Sequence, residues 1–134
     1  MTQPPGAAVT IEISPGELID KITILEIKSE RMTDAAKLIN VRTELDLLAQ
    51  VRGAALAASH DLDALASDLK QVNEALWEIE DAIRLKEKAQ DFGTEFIALA
   101  RSVYRINDER AALKRRINDL LGAVIVEEKS YEEY

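Results

Sequence analysis

The chain has no cysteine, a single histidine, five scattered glycines and three prolines, and aromatic residues make up only 4% of its 134 residues. Without cysteine there is no disulfide and no thiolate site for zinc or an iron–sulfur cluster. His60 alone does not seed an ordinary zinc site, and the run Ser59, His60, Asp61 cannot fold adjacent residues into a catalytic triad. The scattered glycines leave no phosphate-binding loop. No run approaches the roughly 18 apolar residues of a membrane span. Residues 1–8, MTQPPGAA, lack the basic and apolar regions of a secretory signal. A soluble, cytoplasmic chain with a disordered segment over residues 1–8 is therefore expected. A net charge of −8, from 17 basic and 25 acidic side chains, argues against nucleic acid as a partner.

What is present specifies an architecture. Apolar residues make up 47% of the chain, enough for one domain with a real core. Pro15 is the last proline, so everything beyond it is free to form long helices. Val9, Ile11 and Ile13 alternate with polar residues and predict a short strand. A helix start follows: Ser14 as cap, Pro15 at the first position, Glu17 three beyond the cap, and Ile13 clasping Leu18. This first helix runs to about Met32, and its wide stripe (Leu18, Ile19, Ile22, Ile24, Leu25, Ile27) predicts a central element buried on more than one side. Thr33 or Asp34 caps a second helix with the stripe Leu38, Val41, Leu45, Leu48.

The third helix carries a heptad seam, Leu62, Leu65, Leu69, Val72, Leu76, Ile79, Ile83. After a turn at Asp91–Thr94 the fourth repeats it with Phe96, Leu99, Val103, Ile106, Arg110, Leu113, Ile117 and Leu120, and Gly122 closes it. The two seams match layer by layer as an antiparallel hairpin, from Ile83 opposite Val103 to Leu65 opposite Leu120. The expected fold is all-α, an elongated antiparallel bundle of about four helices over residues 9–122. An acidic tail follows over 123–134, in which Val124–Val126 is able to pair with the strand and the last residues are able to dock a protein partner. Charge is divided within the hairpin: residues 61–91 hold nine acidic and four basic side chains, and 92–121 hold four acidic and six basic.

Arg110 stands where the seam calls for leucine or isoleucine, opposite Leu76 and beside Asn73, Trp77 and Glu80. A guanidinium there must be paired or reach water, because a dry, lone charge is very costly. It is either a structural ion pair or an anion site in the bundle built from Arg110, Asn73, Trp77, Glu80, Asn107, Arg84, Lys21 and Arg31. In the second case Glu26 or Glu80 is available for acid–base chemistry. If the role is structural, Arg110→Leu leaves the stability unchanged or higher.

Glu26 and Glu30 on one helix, and Glu78 and Asp81 on another, loosely resemble the acidic signature of all-α nucleoside triphosphate pyrophosphohydrolases. The first pair here is spaced E-x-x-x-E rather than E-x-x-E, and solvated faces account for such residues. Ile19–Arg31 is superficially similar to the first helix of helical chorismate mutases, yet no arginine precedes Arg31. A broader resemblance rests on ISPGELIDKITILEIKS (13–29), VNEALWEIEDAIR (72–84), FIALARSVYRINDERAALKRRIN (96–118) and VEEKSYEEY (126–134). These segments resemble a bacterial protein family of unknown function. That implies a bacterial, cytoplasmic helical protein and brings no activity and no catalytic residues. The reading that follows is a non-catalytic interaction or assembly module, a homodimer without cofactor. The alternative is a site for an anionic metabolite.

Overall fold

The computed structural model describes residues 6–134 and contains four helices: α1 (Pro15–Arg31), α2 (Ala35–Ala55), α3 (His60–Lys88) and α4 (Thr94–Leu121). The expected disorder over residues 1–8 lies, for residues 1–5, outside the described residues. Each helix begins or ends where its local chemistry directs. Ser14 accepts a hydrogen bond from the Glu17 amide at 3.2 Å with Pro15 following, and Asp34, not Thr33, caps α2 through the Lys37 amide at 2.9 Å. Ser59 caps α3 through the Leu62 amide at 3.0 Å. Gly122 ends α4 with φ 62°, a left-handed conformation that costs glycine nothing.

The helices form two hairpins, α1–α2 and α3–α4, joined through α1. The longest contact is between α3 and α4, α1 packs on both of them, and α2 packs on α1 alone. The wide apolar stripe of α1 is explained by those three neighbours. Ile19 meets Leu62, Leu65, Ala66, Leu69 and Ile117 in the core, with Leu56, Leu113 and Leu121 against its edge. At 17 residues, α1 is about 26 Å long, against about 44 Å for the 29 residues of α3. The far end of the α3–α4 hairpin therefore extends past α1 as a pair of helices. Leu85, Phe92 and Ile97 are about half exposed or more there, and Phe92 and Phe96 meet edge to face at 5.2 Å between ring centroids.

Two expectations are corrected. Residues 9–13 form no strand, and no strand occurs among the described residues: Val9 and Ile11 are 88% and 71% exposed, and Val124–Val126 does not pair with them. Alternation marked an extended segment, but no second strand or covering helix lies beside it to supply a ladder or bury one face. The Leu65–Leu120 layer is also not formed. Leu121 packs on the core while Leu120 is 42% exposed, since a helix of 3.6 residues per turn drifts out of a strict heptad.

The acidic tail lies back along α4. Glu127 and Glu128 bond Lys114 and Arg115 at 2.7 and 3.1 Å, the Tyr134 hydroxyl bonds Asp108, and the Tyr104 and Tyr134 rings meet at 4.9 Å.

Candidate functional site

Arg110 does not find its partner on α3. Its guanidinium forks onto the carboxylate of Asp20 on α1, with Nε donating to Oδ1 at 2.9 Å and a terminal nitrogen donating to Oδ2. Asp20 is 1% exposed, so it is a charge removed from water and held by bidentate geometry. The side-chain amide of Asn73 on α3 donates to Asp20 Oδ1 and to Thr23 Oγ1, both at 3.0 Å. The Thr23 hydroxyl in turn donates a hydrogen bond to the Asp20 backbone carbonyl at 2.8 Å. One knot thus ties the three core helices. Burial pushes the Asp20 carboxyl upward, but the hydrogen bonds from Arg110 and Asn73 and the charges of Arg110 and Lys114 outweigh it, and the group titrates below its usual range. The Asp20 hydrogen bond raises Arg110 in turn.

A second tie lies toward the base. Lys114, 9% exposed, bridges Glu17 on α1 at 2.8 Å and Glu127 of the tail at 2.7 Å. Desolvation pulls the Lys114 ammonium down, and these two carboxylates more than restore it. Asn118 Oδ1 accepts the buried Gly16 amide at 2.7 Å. The helices approach so closely that a Cβ on Gly16 would stand 2.5 Å from the Lys114 carbonyl oxygen.

On the side of the knot away from the base, α1, α3 and α4 diverge around a cavity of about 470 Å³. Its apolar wall is Ile24, Ile27, Leu76 and Trp77, and its polar groups are Asn73, Glu80, Asp81, Arg84, Asn107 and Arg110. Six of the eight residues singled out in the sequence (Arg110, Asn73, Trp77, Glu80, Asn107 and Arg84) therefore share one cavity. Lys21 and Arg31 lie outside it. Lys21 is half exposed and 3.9 Å from Glu17, while Arg31 reaches Glu74 and Glu78 at 3.5 and 3.4 Å. Glu30 pairs with Lys70. Among the described residues no three His, Asp or Glu side chains are grouped to hold a metal ion.

The sequence reading missed Asp20. A signal existed: Gly16, Asp20, Thr23 and Ile27 step by 4, 3 and 4, a second seam on α1 carrying small and polar residues. Its polar members mark where α1 meets Asn118, Arg110 and Asn73.

These features define an all-α bundle whose core helices are fastened by buried, mutually satisfied polar groups. Residues 9–134 match the model of DUF6165, a family of unknown function, and the chain belongs to that family. No curated protein and no solved structure matches it. No helix among the described residues is long and apolar enough to cross a membrane.

Proposed function

We propose that the protein is a non-catalytic assembly module that works as a homodimer, joined through the outward face of α2. The observation that carries this reading is that face. Ala36, Asn40, Thr43, Leu47, Gln50 and Ala54 step by 4, 3, 4, 3 and 4 along the helix, and Ile39 and Val51 lie beside them. All are exposed and none is charged. On a chain that is 31% charged, an uncharged stripe of five turns on an exposed helix is unlike a solvated surface. Thr43 donates its hydroxyl proton to the Ile39 carbonyl at 2.8 Å, which leaves its methyl for packing.

The stripe is self-complementary. Two copies of α2 laid antiparallel about a twofold axis near residue 45 set Thr43 against the partner's Leu47, with Ile39 and Val51 on the two flanks of the seam. The same register sets Asn40 against the partner's Gln50, an amide pair of the kind that fixes register in helical seams. On one flank Asp46 meets the partner's Asp46 with Arg42 beside the pair, and on the other Glu44 meets the partner's Glu44. An assembly role also fits the buried charges, which are consumed within the chain: Asp20 holds Arg110, and Glu17 and Glu127 hold Lys114. A bacterial, cytoplasmic setting completes the proposal, as the sequence resemblance implies.

Sedimentation equilibrium tests it. The expected result is a dimer at micromolar concentration that becomes monomeric in Leu47→Lys, a change at a 58% exposed site that leaves the monomer fold intact. A wild-type chain that is monomeric throughout this range, or a dimer indifferent to Leu47→Lys and Ile39→Lys, overturns it.

A further inference from the structure

We propose that the cavity between α1, α3 and α4 binds a small organic cation, an amine with N–H donors on a flat apolar body. This is a site separate from the α2 face. Charge is the first reason. The fork of Arg110 is closed by Asp20, so the cation that singles out the seam is neutralised before any ligand arrives. Of the remaining charges around the cavity, Arg84 lies 3.5 Å from Glu80, and Asp81 has no basic partner among the described residues. The balance left for a ligand is negative.

The second reason is independent of the acidic rim. Asn73 is 94% buried, being 6% exposed, and lines the cavity. An ionised carboxylate only accepts, so the contact to Asp20 fixes the Asn73 amide with its nitrogen toward Asp20 and Thr23. Oδ1 is thereby turned from the knot, and no hydrogen bond from the described residues reaches it. No buried side-chain nitrogen or oxygen among the described residues lacks a partner, so Oδ1 opens to the cavity, where the N–H of a ligand can donate to it. The third reason is Trp77, part-buried in the wall, with no cation of the described residues over its ring; the cation–π contact the chain does make is Lys129 over Tyr131. An indole face flanked by carboxylates suits an alkylammonium. A volume of about 470 Å³ holds a ring with a short amine arm.

Trp77 is the single tryptophan, so its fluorescence reports the site directly. Benzylammonium, benzyl alcohol and benzoate share one body and carry charges of opposite sign or none. The expected result is a saturable change in Trp77 emission with benzylammonium, with a Kd on the order of millimolar for so small a probe, and weaker binding of the other two. Asp81→Asn should weaken benzylammonium about two- to fivefold and Arg84→Gln should strengthen it by a similar factor, as expected for single exposed charges. Both side chains are exposed, so the fold is kept, and circular dichroism checks this. Tighter binding of benzoate, equal binding of benzyl alcohol, variant effects of the opposite sign, or no saturable change up to about 50 mM overturns the proposal. Dimerisation through α2 is read separately by sedimentation.

Discussion

Arg110→Leu should destabilise the protein strongly, the opposite of what the seam position alone leads one to expect. Viewed on the α3–α4 hairpin, the substitution restores a missing apolar layer and is harmless. Viewed with α1 in place, it leaves the Asp20 carboxylate, 1% exposed, without its counter-charge. Breaking one side of a buried pair costs about 3–5 kcal/mol, and the added leucine offsets only part of it, so a net loss of about 3 kcal/mol is expected. For a domain of this size each kcal/mol lowers the melting temperature by about 3–5 °C, a fall of about 10–15 °C. Asp20→Asn should cost less, about 1–2 kcal/mol, because Arg110 is 30% exposed in its side chain and turns its fork to water. The double variant is decisive. Asp20→Asn, destabilising in the wild type, should stabilise the Arg110→Leu protein by about 1 kcal/mol, since it removes the stranded charge. Urea unfolding of the four proteins measures this, and additive effects, or an Arg110→Leu protein within about 0.5 kcal/mol of the wild type, would refute the reasoning.

The pH dependence follows with a definite sign. The Asp20 carboxyl lies below its usual value in the folded protein, so the unfolded chain takes up the proton first as pH falls. The stability it contributes is present above the unfolded value of 3.8 and is lost as pH drops through the lower folded value. In Arg110→Leu the same burial, now unopposed, pushes the carboxyl upward, and acid relieves the damage. The gap between the two proteins should thus narrow from pH 7 toward pH 4, and a gap that widens over that range contradicts the assignment.

Gly16→Ala should cost about 2–3 kcal/mol by urea unfolding, because the new methyl meets backbone rather than a side chain that can turn away. Ser14→Ala removes the oxygen that accepts the Glu17 amide and should cost about 1 kcal/mol in the same assay, with Ser14→Gly recovering most of it. Glu44→Gln should tighten the dimer about two- to fivefold in sedimentation equilibrium by removing the repulsion between copies; no effect would reject the register with the twofold axis near residue 45.

Local signals in the sequence carried the helical architecture well. The Ser14–Pro15–Glu17 cap, the break at Ser59 and the glycine at 122 acted within a few residues of themselves, and the structure places helix ends at each. Periodicity was less sufficient where it stood alone. Val9–Ile13 alternates like a strand, yet a strand depends on a partner elsewhere in the chain, and nothing local in those residues supplies one. Helix α2 shows the converse. Apolar residues lie on two of its faces, the Leu38–Leu48 stripe toward α1 and the Ile39, Leu47 and Val51 side outward, so one periodic count could not separate them.

The polar knot was half legible because its two charges report differently. Arg110 interrupts a long apolar seam and stands out at once, whereas Asp20 sits among charged neighbours, Glu17 and Lys21, on a helix with a broad apolar stripe. Pairing α3 with α4 alone assigned Arg110 the neighbours on the facing helix and led to Asn73, Trp77 and Glu80. Those residues do share its cavity. The carboxylate itself came from the third helix, whose approach is set by contacts more than 90 residues apart, such as Gly16 with Asn118. A charge at a seam position therefore calls for the polar seam of every other helix before its role is chosen. Here that search yields Gly16, Asp20 and Thr23. It also makes Arg110, which the seam left open between an ion pair and an anion site, one half of a closed pair, and leaves the neighbouring cavity with a negative balance.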